Sequence, residues 1–119
     1  MRTRRNFRWL LTSLLPLVIL LPGVGGQAAG DTPLVAAARN DDLQAVRALI
    51  ARRPDVNEHA PDGSTALLWA TYHSNLEMTR ALIAAGAAVN TPNHYGITPL
   101  LQASRSGDAP LIAALLKAP

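Results

Sequence analysis

The chain has no cysteine and few aromatic residues: two Trp, two Tyr and one Phe in 119 residues. Without thiols there is no disulfide, no thiol nucleophile, no thiolate metal site and no lipid joined to a cleavage-site cysteine. With so few rings, the core must be built from Leu, Ile, Val and Ala. Charge is also scarce, at 16% of residues, and its basic excess is misplaced for nucleic acid. Arg2, Arg4, Arg5 and Arg8 all lie in the first eight residues. From position 29 onward seven bases face eight acids, a net −1. Displacing counterions from phosphates takes clustered cations, so nucleic-acid binding is not expected. Catalytic signatures are missing too. Ser64, Ser74, Ser104 and Ser106 lack a nucleophile elbow, and no glycine loop fit to cradle phosphate is present. Asp31, Asp41, Asp42, Asp62 and Asp108 all fall at turns, where aspartate serves the backbone.

What is present begins with an amino-terminal segment unlike the rest. Four arginines without an acid are followed by an apolar stretch from Trp9 to Val24, then by small residues from Gly25 to Gly30. Basic, then apolar, then small is the order of an export signal. The apolar stretch is broken by Pro16 and Pro22 and falls short of the roughly 20 residues that span a bilayer. Gly26 and Ala28 suit a cut after Ala28, giving a signal peptide over residues 1–28. The mature protein is therefore expected in the periplasm or secreted, touching a membrane only transiently through that segment. Thr3-Arg4-Arg5-Asn6-Phe7 resembles the twin-arginine export motif, and the general secretion route stays open beside it. If the segment is not removed, it would tether the rest to a membrane.

Beyond residue 28 the chain repeats itself. Thr32, Thr65 and Thr98 recur at a step of 33 residues, as do Gly30, Gly63 and Gly96, Leu34, Leu67 and Leu100, and Ala37, Ala70 and Ala103. Val56-Asn57 returns as Val89-Asn90, and Leu49-Ile50 as Leu82-Ile83 and Leu115-Leu116. So many coincidences at one period mark a repeat architecture. Each unit reads as two short helices and a loop. Thr65 can cap a first helix through its hydroxyl, and Pro33 and Pro99 suit a first helical position. That helix breaks near Ser74-Asn75. A second runs from Leu76 to Ala85, with Met78, Ala81 and Leu82 on one face. Gly86 ends it by adopting positive φ.

Asp62-Gly63-Ser64-Thr65-Ala66-Leu67, Ala70, Asn75-Leu76-Glu77, Leu82-Ile83 and Gly86-Ala87-Ala88-Val89-Asn90 together resemble one complete ankyrin repeat. Weaker matches run from Ala29 to Pro61 and from Tyr95 to Pro119, giving units at 29–61, 62–94 and an incomplete 95–119. The resemblance implies an all-α solenoid: a right-handed stack of antiparallel helix pairs with hairpin-like loops along one edge. There are departures. Val35, Leu68 and Leu101 stand where the family often places a histidine, so the hydrogen bonds of that residue are missing. Arg53-Pro54 replaces the Gly-Ala at the end of the second helix, so the first unit is expected to end differently. With the third unit cut short, Leu111, Ile112, Leu115 and Leu116 are expected to face water, and the chain to be part of a longer array.

The resemblance also implies a concave groove lined by the first helices. Trp69 and Tyr72 share a face there, His73 adjoins them, and Arg39 and Arg105 occupy the place of Tyr72 in the flanking units. The loop bearing Tyr95 borders the groove, with His94 and Asp62 near the rim. Trp69 is balanced between the groove and packing against the neighbouring helices. These eight residues are the candidate partner-binding set, because Trp, Tyr and Arg most often dominate binding. A metal site from His59, His94 and Asp62 would lack any recognised ligand spacing, and solvated loop histidines are preferred. Leu34, Leu67, Leu100, Ala37, Ala70, Ala103, Val46, Met78, Leu82 and Ile83 are expected in the core, with Arg47, Arg52 and Arg80 on a solvated outer face. The expectation is a monomeric, non-catalytic protein-interaction module with no cofactor and no metal. The alternative is the scaffold part of a larger exported enzyme.

Overall fold

The hydroxyls of Thr32, Thr65 and Thr98 each accept the backbone N–H three residues on, from Val35, Leu68 and Leu101 at 3.3, 3.3 and 3.1 Å. Each starts a helix by meeting one of the donors a helical first turn leaves without a partner. In this computed structural model, which describes residues 30–119, these are α1 (Pro33–Arg39), α3 (Ala66–Tyr72) and α5 (Pro99–Ser106). The expected signal peptide, 1–28, lies outside the described residues. Asp42, Asn75 and Asp108 do the same for α2 (Leu43–Ile50), α4 (Leu76–Ala84) and α6 (Ala109–Lys117), accepting from Ala45, Met78 and Leu111. Between the helices of each pair the chain reverses through one left-handed residue: Asp41, Ser74 and Gly107, with φ of 56°, 52° and 70°.

Helices of seven to nine residues are too short to persist alone, so packing must hold them. The first helices α1, α3 and α5 stack on one another, the second helices α2, α4 and α6 form a parallel row, and each pair is closed internally. Leu67, Ala70, Val46, Met78, Leu82 and Ala103 are fully buried in one continuous core. Ala70 and Ala103 leave no side-chain bulk between stacked helices, which lets their backbones approach. Leu100 and Ile83 are only half-buried, against the core edge. Among the described residues there is no strand beyond a single antiparallel bridge, His59 to Thr65, and no helix long and apolar enough to cross a membrane.

One expectation is corrected and another holds in part. Leu111 and Leu115 do not face water: they are 0% and 4% exposed, because α6 lies against both α4 and α5 and turns that edge inward. Ile112 is half-buried and only Leu116 stands out, at 67%. The first unit ends differently only in part: α2 stops at Ile50, one residue short of the equivalent point in α4, yet the left-handed residue is kept. Arg53 takes φ 57° where Gly86 takes φ 97°, and both backbone N–H groups donate to the last turn, to Ile50 and Ile83. An arginine there bears a left-handed backbone that costs about 1 kcal/mol or more. Two bonds of the second unit have no counterpart: that of Ala85 N–H to Ala81, and that of Ala87 N–H to Leu82, whose equivalent Pro54 cannot make. Apolar packing replaces the missing family histidine in the first two units, where Val35 is fully buried and Leu68 nearly so, whereas Leu101 is 44% exposed.

The loops stack as closely as the helices. Ala60 N–H donates to Ser64 at 2.9 Å and Gly63 N–H to Ala60 at 2.8 Å, and Asn93 and Gly96 repeat the pattern with Ile97 and Asn93. Successive hairpins are joined where His94 N–H donates to the Asp62 carbonyl at 2.8 Å. A Cβ on Gly63 would fall 2.8 Å from His94 Cδ2, and one on Gly30 2.6 Å from Pro61 Cγ. Asn57 ties the outer turns together, accepting from Ala88 N–H at 2.7 Å.

Candidate groove for a partner

The sequence Leu67-Leu68-Trp69-Ala70-Thr71-Tyr72-His73 divides the surface of α3 in two. Leu67, Ala70 and Thr71 turn inward, and the Thr71 hydroxyl is satisfied by donating to the Leu68 carbonyl at 2.7 Å. Trp69, Tyr72 and His73, at i, i+3 and i+4, are left on the other side. The Trp69 and Tyr72 rings meet edge to face at 5.4 Å, and His73 stacks on Trp69 at 6.2 Å. Trp69 is half-buried and joins the core edge, while Tyr72 is 59% exposed. The two accounts of Trp69 therefore describe two sides of one residue.

Arg39 and His73 hold that tryptophan from the first unit. The Arg39 guanidinium carbon lies 4.9 Å from the Trp69 ring centre, within cation–π reach. Its Nη2 pairs with Asp31 at 3.1 Å, and the Asp31 side chain is only 2% exposed. The His73 Nε2–H donates to the Arg39 carbonyl at 2.8 Å, since a carbonyl can only accept. Both residues are thus engaged with neighbours inside the stack.

A hollow of about 450 Å³ opens beside this cluster. Leu68, Trp69, Tyr72 and Ile97 form its apolar floor, and Asp62, Ser64, Asn93, Gln102 and Arg105 its walls. Asp62 is held ionised: Ser64 donates its N–H and its hydroxyl, each at 3.0 Å. The Ser64 N–H is the largest influence lowering its pKa below the ordinary carboxylate value, with the charge of Arg39 adding to it against the opposing effect of burial. Asn93 is fixed as well, accepting from Tyr95 N–H and Ile97 N–H at 2.9 and 3.0 Å.

Of the eight candidate residues, Trp69, Tyr72, Asp62 and Arg105 line this hollow. Arg39 and His73 stand behind it. His94 is exposed and covers Gly63, and Tyr95, at 76% exposure, crowns the next hairpin. The sequence reading missed Ser64, Leu68, Asn93, Ile97 and Gln102 as lining. Ser64 and Ile97 are one step of 33 apart, a signal that the hairpin bases share this edge. His59 lies apart, with Nδ1 3.0 Å from the Ala60 oxygen, and no three His, Asp or Glu side chains cluster among the described residues.

Comparison with known proteins gives a consistent picture. A family model described as ankyrin repeats, in three copies, matches residues 10–93 and again 34–119. Among solved structures the human ASB11 ankyrin repeat domain superposes with a TM-score of 0.68 at 33% identity, over 73% of this chain and 39% of that one. The chain thus spans well under half of that domain. No curated protein matches.

Proposed function

Since the chain belongs to the ankyrin-repeat family, a family of protein-interaction modules, we propose that it is an exported, non-catalytic module that grips a protein partner. The contact surface is the concave groove and the adjoining loop tips, with Trp69, Tyr72 and Arg105 in the groove, Asp62 on its wall, and Tyr95 and His94 on the hairpin. Arg39 and His73 act by keeping Trp69 in place. The observation that carries this reading is the Trp69–Tyr72 pair, open to solvent on one side and fixed on the other. Rings that are already immobile lose little entropy on docking.

Export rests on the basic, apolar and small order of residues 1–28, with cleavage after Ala28 and a periplasmic or secreted monomer as the product. Amino-terminal sequencing of exported protein tests it, and an intact Arg2 would rule out cleavage. For the groove, crosslinking and pull-down from the exported fraction compare wild type with the Trp69→Ala/Tyr72→Ala double variant. Loss of the captured protein with an unchanged helical circular dichroism spectrum is the expected result. Undiminished capture would remove the groove from the binding surface.

A further inference from the structure

The groove's charged side chains are engaged to different degrees. On the side of the first two units the charged groups already have polar partners. Arg39 pairs with buried Asp31, and Asp62 has both oxygens occupied by Ser64 while its ionisation is favoured by Arg39. Arg105, on α5, is exposed and forms no ion pair among the described residues. Of the two charged groups lining the hollow, Asp62 already accepts from Ser64 at both oxygens, so the one with unused hydrogen-bonding capacity is Arg105. It stands at the wall of an apolar floor made by Leu68, Trp69, Tyr72 and Ile97.

We propose that the hollow takes an extended peptide segment in which an aspartate or glutamate adjoins a bulky apolar residue. The apolar side chain seats against Trp69 and Tyr72, and the acid pairs with the Arg105 guanidinium, whose planar fork fits a carboxylate. A space of about 450 Å³ suits one large side chain and its neighbours rather than a whole helix. This deepens the groove reading above and depends on it.

The test pans a random heptapeptide display library on the immobilised full chain, then measures selected peptides by fluorescence anisotropy. Four proteins are compared: wild type, Arg105→Glu, Arg105→Gln and Trp69→Ala/Tyr72→Ala. The selected set is expected to carry Asp or Glu within about two residues of an aromatic or large aliphatic residue. Arg105→Glu is expected to weaken binding about tenfold, and Arg105→Gln about threefold, in line with an exposed ion pair. Replacing the peptide acid by lysine should restore binding to Arg105→Glu. Because Arg105 is exposed, both variants are expected to keep the wild-type helical spectrum. Selection of acid-free or lysine-rich peptides, selection of none, or equal affinity for wild type and Arg105→Glu would each overturn the proposal. If the Trp69/Tyr72 variant loses the peptides while Arg105→Glu keeps them, the groove stands and the acidic partner falls. If all four proteins bind alike, both fall.

Discussion

Arg39 reaches across from the first helix pair to place its guanidinium 4.9 Å from the ring centre of Trp69 in the second. The same side chain neutralises Asp31, a carboxylate almost wholly shielded from water. One arginine therefore supports a groove ring from behind and answers a buried charge. Losing it would disturb both the binding surface and the first unit.

Arg39→Ala should destabilise the protein by about 2 kcal/mol, less than for a fully buried pair because the arginine itself is partly solvated. Adding Asp31→Asn should recover part of that loss, since the unanswered charge is then gone. Urea unfolding followed by circular dichroism reads both. An equal loss in the double variant would mean that the Trp69 contact, rather than the ion pair, carries the cost.

Asp62 gives a pH dependence with a defined sign. Its folded pKa is lowered, first by the Ser64 N–H, so the folded state favours the ionised form. Its contribution is fully present above the unfolded carboxylate pKa and fades as pH falls through the lower folded value. Asp62→Asn should therefore lie closest to wild type at the most acidic pH and fall behind as pH rises. Unfolding midpoints measured from neutral pH downward check this, and a constant gap would contradict it.

Gly63 and Gly86 both have positive φ, at 83° and 97°, yet their surroundings differ. A Cβ at Gly63 meets His94 Cδ2 at 2.8 Å and the His94 backbone nitrogen at 3.1 Å, whereas one at Gly86 meets nothing within 4 Å. Gly86→Ala should cost about 1 kcal/mol from backbone strain alone, and Gly63→Ala clearly more. Adding His94→Ala to Gly63→Ala should return only part of the excess, because the backbone contact remains. Equal costs for the two glycines, read from thermal unfolding, would deny that the hairpins press on each other.

Leu111 and Leu116 share α6 but not an environment, at 0% and 67% exposure. Leu111→Ala should cost about 3 kcal/mol through lost burial and a residual cavity. Leu116→Ala should change stability by no more than about 0.5 kcal/mol. Comparable effects from the two would mean that α6 is not docked on α4 and α5 as described.

Several of these features could be read before any coordinates. The caps at Thr32, Thr65 and Thr98 were legible because the bond each makes is only three residues long. The end of α4 at Gly86 followed from glycine's freedom at positive φ. The end of α2 did not, since Arg53 adopts that conformation without the residue type that advertises it. The lining by Asn93 and Gln102 was also missed, because neither belongs to the aromatic and arginine pattern that pointed to the groove.

The sequence by itself determined the 33-residue period, the cap at each helix start, the turn at each reversal and the apolar positions between them. All of these depend on hydrogen bonds and side-chain spacings within about four residues along the chain. Tertiary structure alone decided what each side chain meets in the next unit. Arg39 with Trp69, His73 with the Arg39 carbonyl, Asn75 with Asp41 and His94 over Gly63 are contacts between neighbouring units 30 to 34 residues apart. A period says which units are neighbours. It does not say how far one is shifted and rotated against the next. That offset is set by the packing of whole helices, and it buried Leu111 and Leu115 and left Arg105 on the wall of the groove without an acid to pair with.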